Sequence, residues 1–212
     1  MVRCRATWER GMGVDRFDDI RNAALALFTE QGYRATTMAD IGTAVGMRAP
    51  SLYKHVASKQ DLLARIMSST MEALLAGYRG AVATTDDPAE RLRRATEVHV
   101  RYHARHRLEA FVGNREIGSL VEPSRTHVLD LRADYERGFR DLVAAGVDAG
   151  VFHVDSVRLA SYAVLDLGMG VSAWYREDGE LSEDAVVWQY SRFALRLVGY
   201  QGPGYQGVGY QG

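Results

Sequence analysis

Apolar residues in this chain recur three and four positions apart, the period of an amphipathic helix, and nowhere alternate long enough to build a strand. In residues 15–31, Ile20, Ala23, Ala24, Leu27 and Phe28 share one face, and Gly32 follows as a stop. Thr37, with Asp40 three residues on, forms a capping box that opens a short helix ending at Gly46. A second short helix is predicted over residues 49–56. Ser58 and Asp61 form another capping box, opening a long helix to about residue 83. The run Thr84-Thr85-Asp86-Asp87-Pro88 breaks the pattern, with proline at a helix-starting position. Five more helices are predicted at 88–105, 107–118, 124–150, 156–175 and 182–199, punctuated by Pro123 and by turns at 150–155 and 177–182. The expected fold is all-α: a three-helix helix-turn-helix unit followed by a larger helical domain.

Composition narrows the class without naming a function. The chain has 212 residues, 47% of them hydrophobic and 25% charged, as in an ordinary globular protein. Charged residues or histidine interrupt every apolar run before it reaches membrane-spanning length, and no secretory apolar stretch opens the chain, so no membrane partner is expected. A single cysteine, Cys4, fits a reducing compartment, and the cytoplasm is the expected location. Net charge is −1, so there is no bulk electrostatic signature of a nucleic-acid binder. Residues 1–60 nevertheless carry nine Arg or Lys against six Asp or Glu, and the only two lysines of the chain, Lys54 and Lys59, lie there. Residues 1–14 are expected to be a disordered arm, although Arg3, Arg5 and Arg10 have the charge to reach a nucleic-acid backbone. Residues 200–212 repeat Tyr-Gln-Gly and read as a flexible tail with no assigned role.

The two short helices joined through a glycine turn have the pattern of a helix-turn-helix. Ile41, Ala44, Val45, Leu52 and Val56 are spaced to pack them together. Arg48, Pro50, Ser51, Tyr53, Lys54 and His55 are left nearer the outside, where a hydroxyl, an ammonium and an imidazole suit phosphates or base edges. By pattern alone a small surface bundle explains them equally well. The run from Ala24-Leu25-Ala26-Leu27-Phe28 through Gly32-Tyr33-Arg34-Ala35-Thr36-Thr37-Met38-Ala39-Asp40-Ile41 resembles the first helix and the turn after it in the TetR family of regulators. It continues through Ala44-Val45-Gly46, Ser51-Leu52-Tyr53-Lys54-His55-Val56 and Ser58-Lys59-Gln60-Asp61-Leu62-Leu63, in intact order and spacing. Val56 stands where the family usually has Phe, and Arg48-Ala49-Pro50 is a second departure, tolerated because proline suits a first helical turn.

The resemblance implies a DNA-binding domain at 15–60 and a helical ligand-binding and dimerisation domain at 61–199. It implies phosphate contacts from Thr37, Tyr53, His55 and Lys59, and base proximity for Arg48, Ala49, Ser51 and Lys54, with Thr36 beside them. The partners it implies are double-stranded operator DNA, a small hydrophobic effector and a second copy of the chain. No cofactor is expected.

The larger domain is less constrained. His99, Tyr102, His103, Phe111, Asn114, Arg115 and Trp174 form a polar-aromatic set suited to lining an effector pocket. His99, His103 and His106 fall at a spacing that can share a metal, but without a neighbouring carboxylate or cysteine motif they fit hydrogen-bonded pocket histidines better, and no metal site is assigned. The last two helices are apolar over wide faces, and Tyr162, Leu165, Trp188, Tyr190, Phe193 and Leu197 are the expected dimer interface. The segment Gly170-Val171-Ser172-Ala173-Trp174-Tyr175-Arg176, followed by Gly179-Glu180-Leu181-Ser182, resembles, more loosely, TetR regulators that respond to acyl-CoA thioesters. Packing of Trp174 and Tyr175 between copies is an equally good account of the same residues. An enzyme is disfavoured because no phosphate loop, nucleophile elbow, paired-cysteine site or His-Glu-x-x-His motif is present. The expectation is a ligand-released repressor on a palindromic operator. A regulator of efflux or detoxification genes, or a helical adaptor that never touches DNA, is the alternative.

Overall fold

The computed structural model describes residues 16–202, so the arm predicted at 1–14 and the tail beyond 202 lie outside it. All regular structure among these residues is helical. In chain order the helices are α1 (Arg16–Gln31), α2 (Met38–Ala44), α3 (Ala49–Leu52), α4 (Lys59–Val82), α5 (Pro88–Arg105), α6 (Arg107–Arg115), α7 (Ser124–Asp148), α8 (Val157–Trp174) and α9 (Glu183–Leu197). A single 3-10 turn, Ile117–Ser119, follows α6. The chain forms two compact units, divided between Lys59 and Gln60. None of the described helices is long and apolar enough to cross a membrane.

The first unit is set by local chemistry. Ile20, Ala24, Leu25 and Phe28 are buried along α1, while Leu27 is only partly so. Gly32 ends the helix at φ 87°, a conformation that glycine adopts without steric cost. The ring of Phe28 then meets Tyr33 edge-on at 5.1 Å. Both halves of the Thr37 capping box are formed: the Thr37 hydroxyl accepts from the Asp40 N–H, and the Asp40 carboxylate accepts from the Thr37 N–H at 2.8 Å. These bonds hold the Asp40 carboxyl below its usual range. Gly42, rather than the exposed Ala44, makes the close approach to the following turn, since a Cβ there would lie 3.0 Å from the Met47 carbonyl. Ile41, Leu52 and Val56 are buried as their spacing predicts.

Helix α3 is shorter than the predicted 49–56. It covers Ala49–Leu52, after which the Lys54 N–H bonds to Ser51 and the His55 N–H to Leu52, the tighter i to i+3 pattern. Arg48 gives α3 no side-chain cap, and Pro50 sits in its first turn, where a missing N–H costs nothing.

In the second unit, α5 packs against α7, α8 and α9. Asp87 caps it by accepting from Ala89 and Glu90, Ser156 caps α8 and Ser182 caps α9. Leu92, Ala95, Phe139, Val143, Phe152, Val164 and Leu195 lie at the centre of its core. Gly146 on α7 is required there, because a Cβ would sit 1.9 Å from the Phe152 ring. At the other end of α5, Arg101 and Arg105 both bind Glu183 in the first turn of α9, a carboxylate placed where the helix dipole favours it. The predicted tail begins later than residue 200. The Tyr200 N–H donates to the Leu195 carbonyl at 3.0 Å, and its ring packs edge-on against Phe152 at 6.2 Å.

Candidate nucleic-acid interface and effector cavity

In the first unit, α2, α3 and the turn after α3 bring Thr37, Arg48, Ala49, Ser51, Tyr53, Lys54 and His55 to the surface. Tyr53 is 52% exposed, which leaves its ring and hydroxyl open to a partner. Arg48 and Lys54 add two exposed cations on either side of it in sequence. The Thr37 hydroxyl is already engaged, donating to the Asp40 carboxylate at 2.7 Å, so its first task is to open α2.

Two predicted DNA contacts have other work. Thr36 is fully buried, and its hydroxyl donates to the Gly32 carbonyl at 2.9 Å while accepting from the Gln31 amide at 3.1 Å. It has no side-chain surface to offer a nucleic acid. The Lys59 ammonium donates to the carbonyls of Tyr33 at 2.8 Å and Thr36 at 2.6 Å, with that of Arg34 at 3.5 Å. It also sits 4.3 Å from the centre of the Tyr33 ring. An ammonium has three protons, so these carbonyls saturate it. Lys59 is a staple between the start of α4 and the loop joining α1 to α2, a role that its sequence position does not disclose.

The second unit contains a cavity of about 340 Å³, within the size range of small-molecule sites. Five helices line it: Thr70, Met71 and Leu74 from α4, His99 and His103 from α5, Glu109, Ala110, Gly113 and Asn114 from α6, Arg132, Tyr135 and Glu136 from α7, and Tyr162, Leu165, Asp166 and Met169 from α8. Of the residues expected at a pocket, His99, His103 and Asn114 are there. Tyr102 instead packs on His106 with ring centres 4.3 Å apart. Phe111 is 40% exposed with Arg115 over its ring, and Trp174 is 42% exposed beside Tyr190. None of these four lines the cavity.

The histidines form its floor. His99 is buried between the Tyr135 hydroxyl, 2.9 Å from Nδ1, and the Leu165 carbonyl, 3.0 Å from Nε2. A carbonyl only accepts, so Nε2 carries the proton and Tyr135 donates to Nδ1. Burial drives the His99 pKa well below the ordinary value and lowers that of His103, so both rings are neutral at physiological pH. Burial also pushes the Tyr135 phenol up, which keeps its donor proton in place. With both His99 nitrogens engaged and His103 Nδ1 on the His99 carbonyl, the row of histidines does not converge on a metal. Among the described residues no cluster of metal-ligating side chains occurs.

Of the residues expected between copies, Tyr162 and Leu165 line the cavity. Trp188, Phe193 and Leu197 on α9 are exposed by 55%, 38% and 37%, and Tyr190 is half-buried against Trp174 and Phe193. Sequence reading missed Arg132, Tyr135, Glu109 and the α4 residues of the cavity. One signal was present, since Thr70 is a polar break within the apolar face formed by Leu63, Ile66, Met67, Met71 and Leu74.

Comparison with known proteins agrees with this arrangement. Residues 20–66 match the profile of bacterial regulatory proteins of the tetR family, and residues 85–198 match the tetracyclin repressor-like C-terminal domain. The chain is 31% identical over 183 residues to the HTH-type transcriptional repressor KstR2 of Rhodococcus jostii, covering 85% of this chain and 89% of the relative. The KstR2 repressor of Mycobacterium tuberculosis is 28% identical over 189 residues, covering 88% and 94%. The structure described as the ketosteroid transcriptional regulator KstR2 of M. tuberculosis superposes with a TM-score of 0.81, covering 91% of this chain and 98% of that one. The TetR-family regulator PfmR of Thermus thermophilus superposes with a TM-score of 0.76 at 34% identity, covering 86% and 98%. A helix-turn-helix unit with an exposed aromatic and two cations, joined to a helical unit with a cavity, thus has both family halves in order, and the chain belongs to the TetR family of DNA-binding transcriptional regulators.

Proposed function

We propose that this regulator is a dimeric repressor, released from a palindromic operator in the cytoplasm when a hydrophobic small molecule enters the cavity of each subunit. The observation that carries the reading is the span of α4. This one helix begins at Lys59, pinned to the carbonyls of the first unit, and lines the cavity with Thr70, Met71 and Leu74. A molecule that fits the cavity better in one position of α4 than in another shifts the equilibrium between DNA-competent and incompetent states by its difference in affinity, and by no more. Two reading heads must match half-sites about one helical turn apart, so a small change in their spacing weakens binding.

Arg48, Ala49, Ser51, Tyr53, Lys54 and His55 form the proposed DNA-facing set, with the backbone around Thr37 beside them. The exposed apolar side chains of Leu159, Trp174, Trp188, Phe193 and Leu197 support pairing of copies through α8 and α9, because a patch of that composition is unfavourable in water. The relatives described as KstR2 repressors, one of them a ketosteroid regulator, support an apolar effector. The acyl part of a coenzyme A thioester and a free apolar acid are both candidates for a cavity of this size.

Gel shift of the full-length protein with its own upstream region tests this reading. The unaltered chain is expected to bind, and Tyr53→Ala and Lys54→Ala to bind more weakly. Lys54→Ala should also reduce the slope of log affinity against log salt, because one cation fewer then faces the DNA. Retention of full affinity by both variants would remove the DNA-reading assignment.

A further inference from the structure

Three polar groups of the cavity have hydrogen-bonding capacity left unused, and together they describe its occupant. The Thr70 side chain is only 9% exposed, and its hydroxyl meets no hydrogen-bonding atom of the described residues. Nor does it bond back to the carbonyl of Ile66, as a helical threonine often does. His103 donates from Nδ1 to the His99 carbonyl at 2.8 Å, which leaves Nε2 a bare lone pair. Arg132 makes one hydrogen bond, Nη2 to the Gly113 carbonyl at 2.6 Å, and no ion pair among the described residues.

The carboxylates of the lining do not answer that guanidinium. Glu109 lies 3.4 Å from His106 and Glu136 lies 3.7 Å from Arg140, while Asp166 is exposed at the rim. Arg132 is therefore a partly buried cation with most of its fork of donors unused, which suits a carboxylate in a bidentate pair. Burial lowers its pKa, but a guanidinium keeps its charge in a protein, and the desolvated cation favours an anion brought to it. The rest of the lining, with Met71, Leu74, Ala110, Leu165 and Met169, is apolar.

We propose that the effector is a hydrophobic carboxylic acid bearing a hydroxyl on its apolar body: Arg132 pairs with the carboxylate, and the hydroxyl supplies the partner that Thr70 and His103 lack. A ligand hydroxyl has what each needs, a lone pair for the Thr70 O–H and a proton for His103 Nε2. This inference rests on the reading of the cavity as the effector site.

Titration calorimetry on the full chain tests it with decanoate, terminally and mid-chain hydroxylated decanoates, methyl decanoate and decanoyl-CoA. Decanoate should bind about tenfold more tightly than its methyl ester, the difference expected for a charge-assisted pair. The better-placed hydroxydecanoate should gain about a further fivefold, one neutral hydrogen bond's worth. Arg132→Gln should erase the preference for acid over ester, and Thr70→Val should erase the hydroxyl gain while keeping the acid preference. Circular dichroism of both variants checks that the helices are retained. Equal binding of acid and ester, an acid preference that survives Arg132→Gln, or no binding of any of them overturns the inference. So does decanoyl-CoA binding more tightly than every acid regardless of residue 132. Gel shift separates this from the repressor reading. If hydroxydecanoate binds but the protein never shifts its upstream DNA, the repressor reading fails alone. If the DNA shifts but no acid binds, this inference fails alone.

Discussion

Lys59→Met should destabilise the protein by about 2–3 kcal/mol and weaken operator binding, yet leave the salt dependence of the remaining binding unchanged. Hydrogen bonds from a charged donor contribute roughly 1.5–3 kcal/mol each when well formed. Two short ones to Tyr33 and Thr36 are lost here, and the partial exposure of Lys59 discounts their sum. Methionine keeps an unbranched apolar stem of similar length, so the variant removes the ammonium with little change in volume. The carbonyls it held belong to the loop that delivers Thr37 to the start of α2, and loosening that loop blurs the reading surface. A lysine that instead met a phosphate would behave in the opposite way. Its loss would leave unfolding by urea unchanged and reduce the salt slope by about 0.9. Urea denaturation with gel shift over a salt series decides between the two, and unchanged stability with a reduced slope would return Lys59 to the DNA interface.

Gly168→Ala should be costlier, about 3–5 kcal/mol, because it strikes the cavity floor where nothing can yield. The added Cβ would fall 2.0 Å from Cδ2 of His99 and 2.5 Å from its Nε2. The ring must leave, and with it go the bonds to Tyr135 and to the Leu165 carbonyl. Overpacking of a core costs roughly 1–3 kcal/mol, and each buried polar group left unpaired adds roughly as much. Effector binding should be lost with the floor. Adding His99→Ala frees the space, so the double variant should be more stable than Gly168→Ala alone, a coupling that urea denaturation of the four proteins measures. A Gly168→Ala chain as stable as the unaltered one would mean that the approach of α5 to α8 at this point is looser than it stands here.

What the sequence discloses follows the range of the forces involved. The Thr37–Asp40 box and the Asp87-Pro88 start of α5 each act within three residues, and each was legible before the structure. So were most helix boundaries and, through the family resemblance, the order of a helix-turn-helix unit and a larger helical unit. The length of α3 was not, because helical propensity does not register the loss of support beyond Leu52. Thr36 and Lys59 look like surface polar residues in sequence, and only the folded loop between α1 and α2 shows that one is buried and the other saturated. The cavity was half visible. His99, His103 and Asn114 stand out by type, whereas Arg132 and Tyr135 join them through packing of α7 against α5 and α6, which no local pattern encodes. Tyr162 and Leu165 face the cavity although their helix reads as an interface element, because α8 is apolar on more than one side.

The scarcity of lysine has a practical consequence. Besides the α-amine of the chain, only Lys54 and Lys59 carry primary amines, and their surroundings differ sharply. Lys54 is exposed, while the Lys59 nitrogen is held by main-chain oxygens. A mild acylating reagent therefore discriminates between them by accessibility, and mass spectrometry of the peptide carrying residue 54 becomes a footprint of the reading head. With Lys54 in the proposed DNA-facing set, its acylation is expected to fall when operator is bound, a reporter that needs neither substitution nor dye.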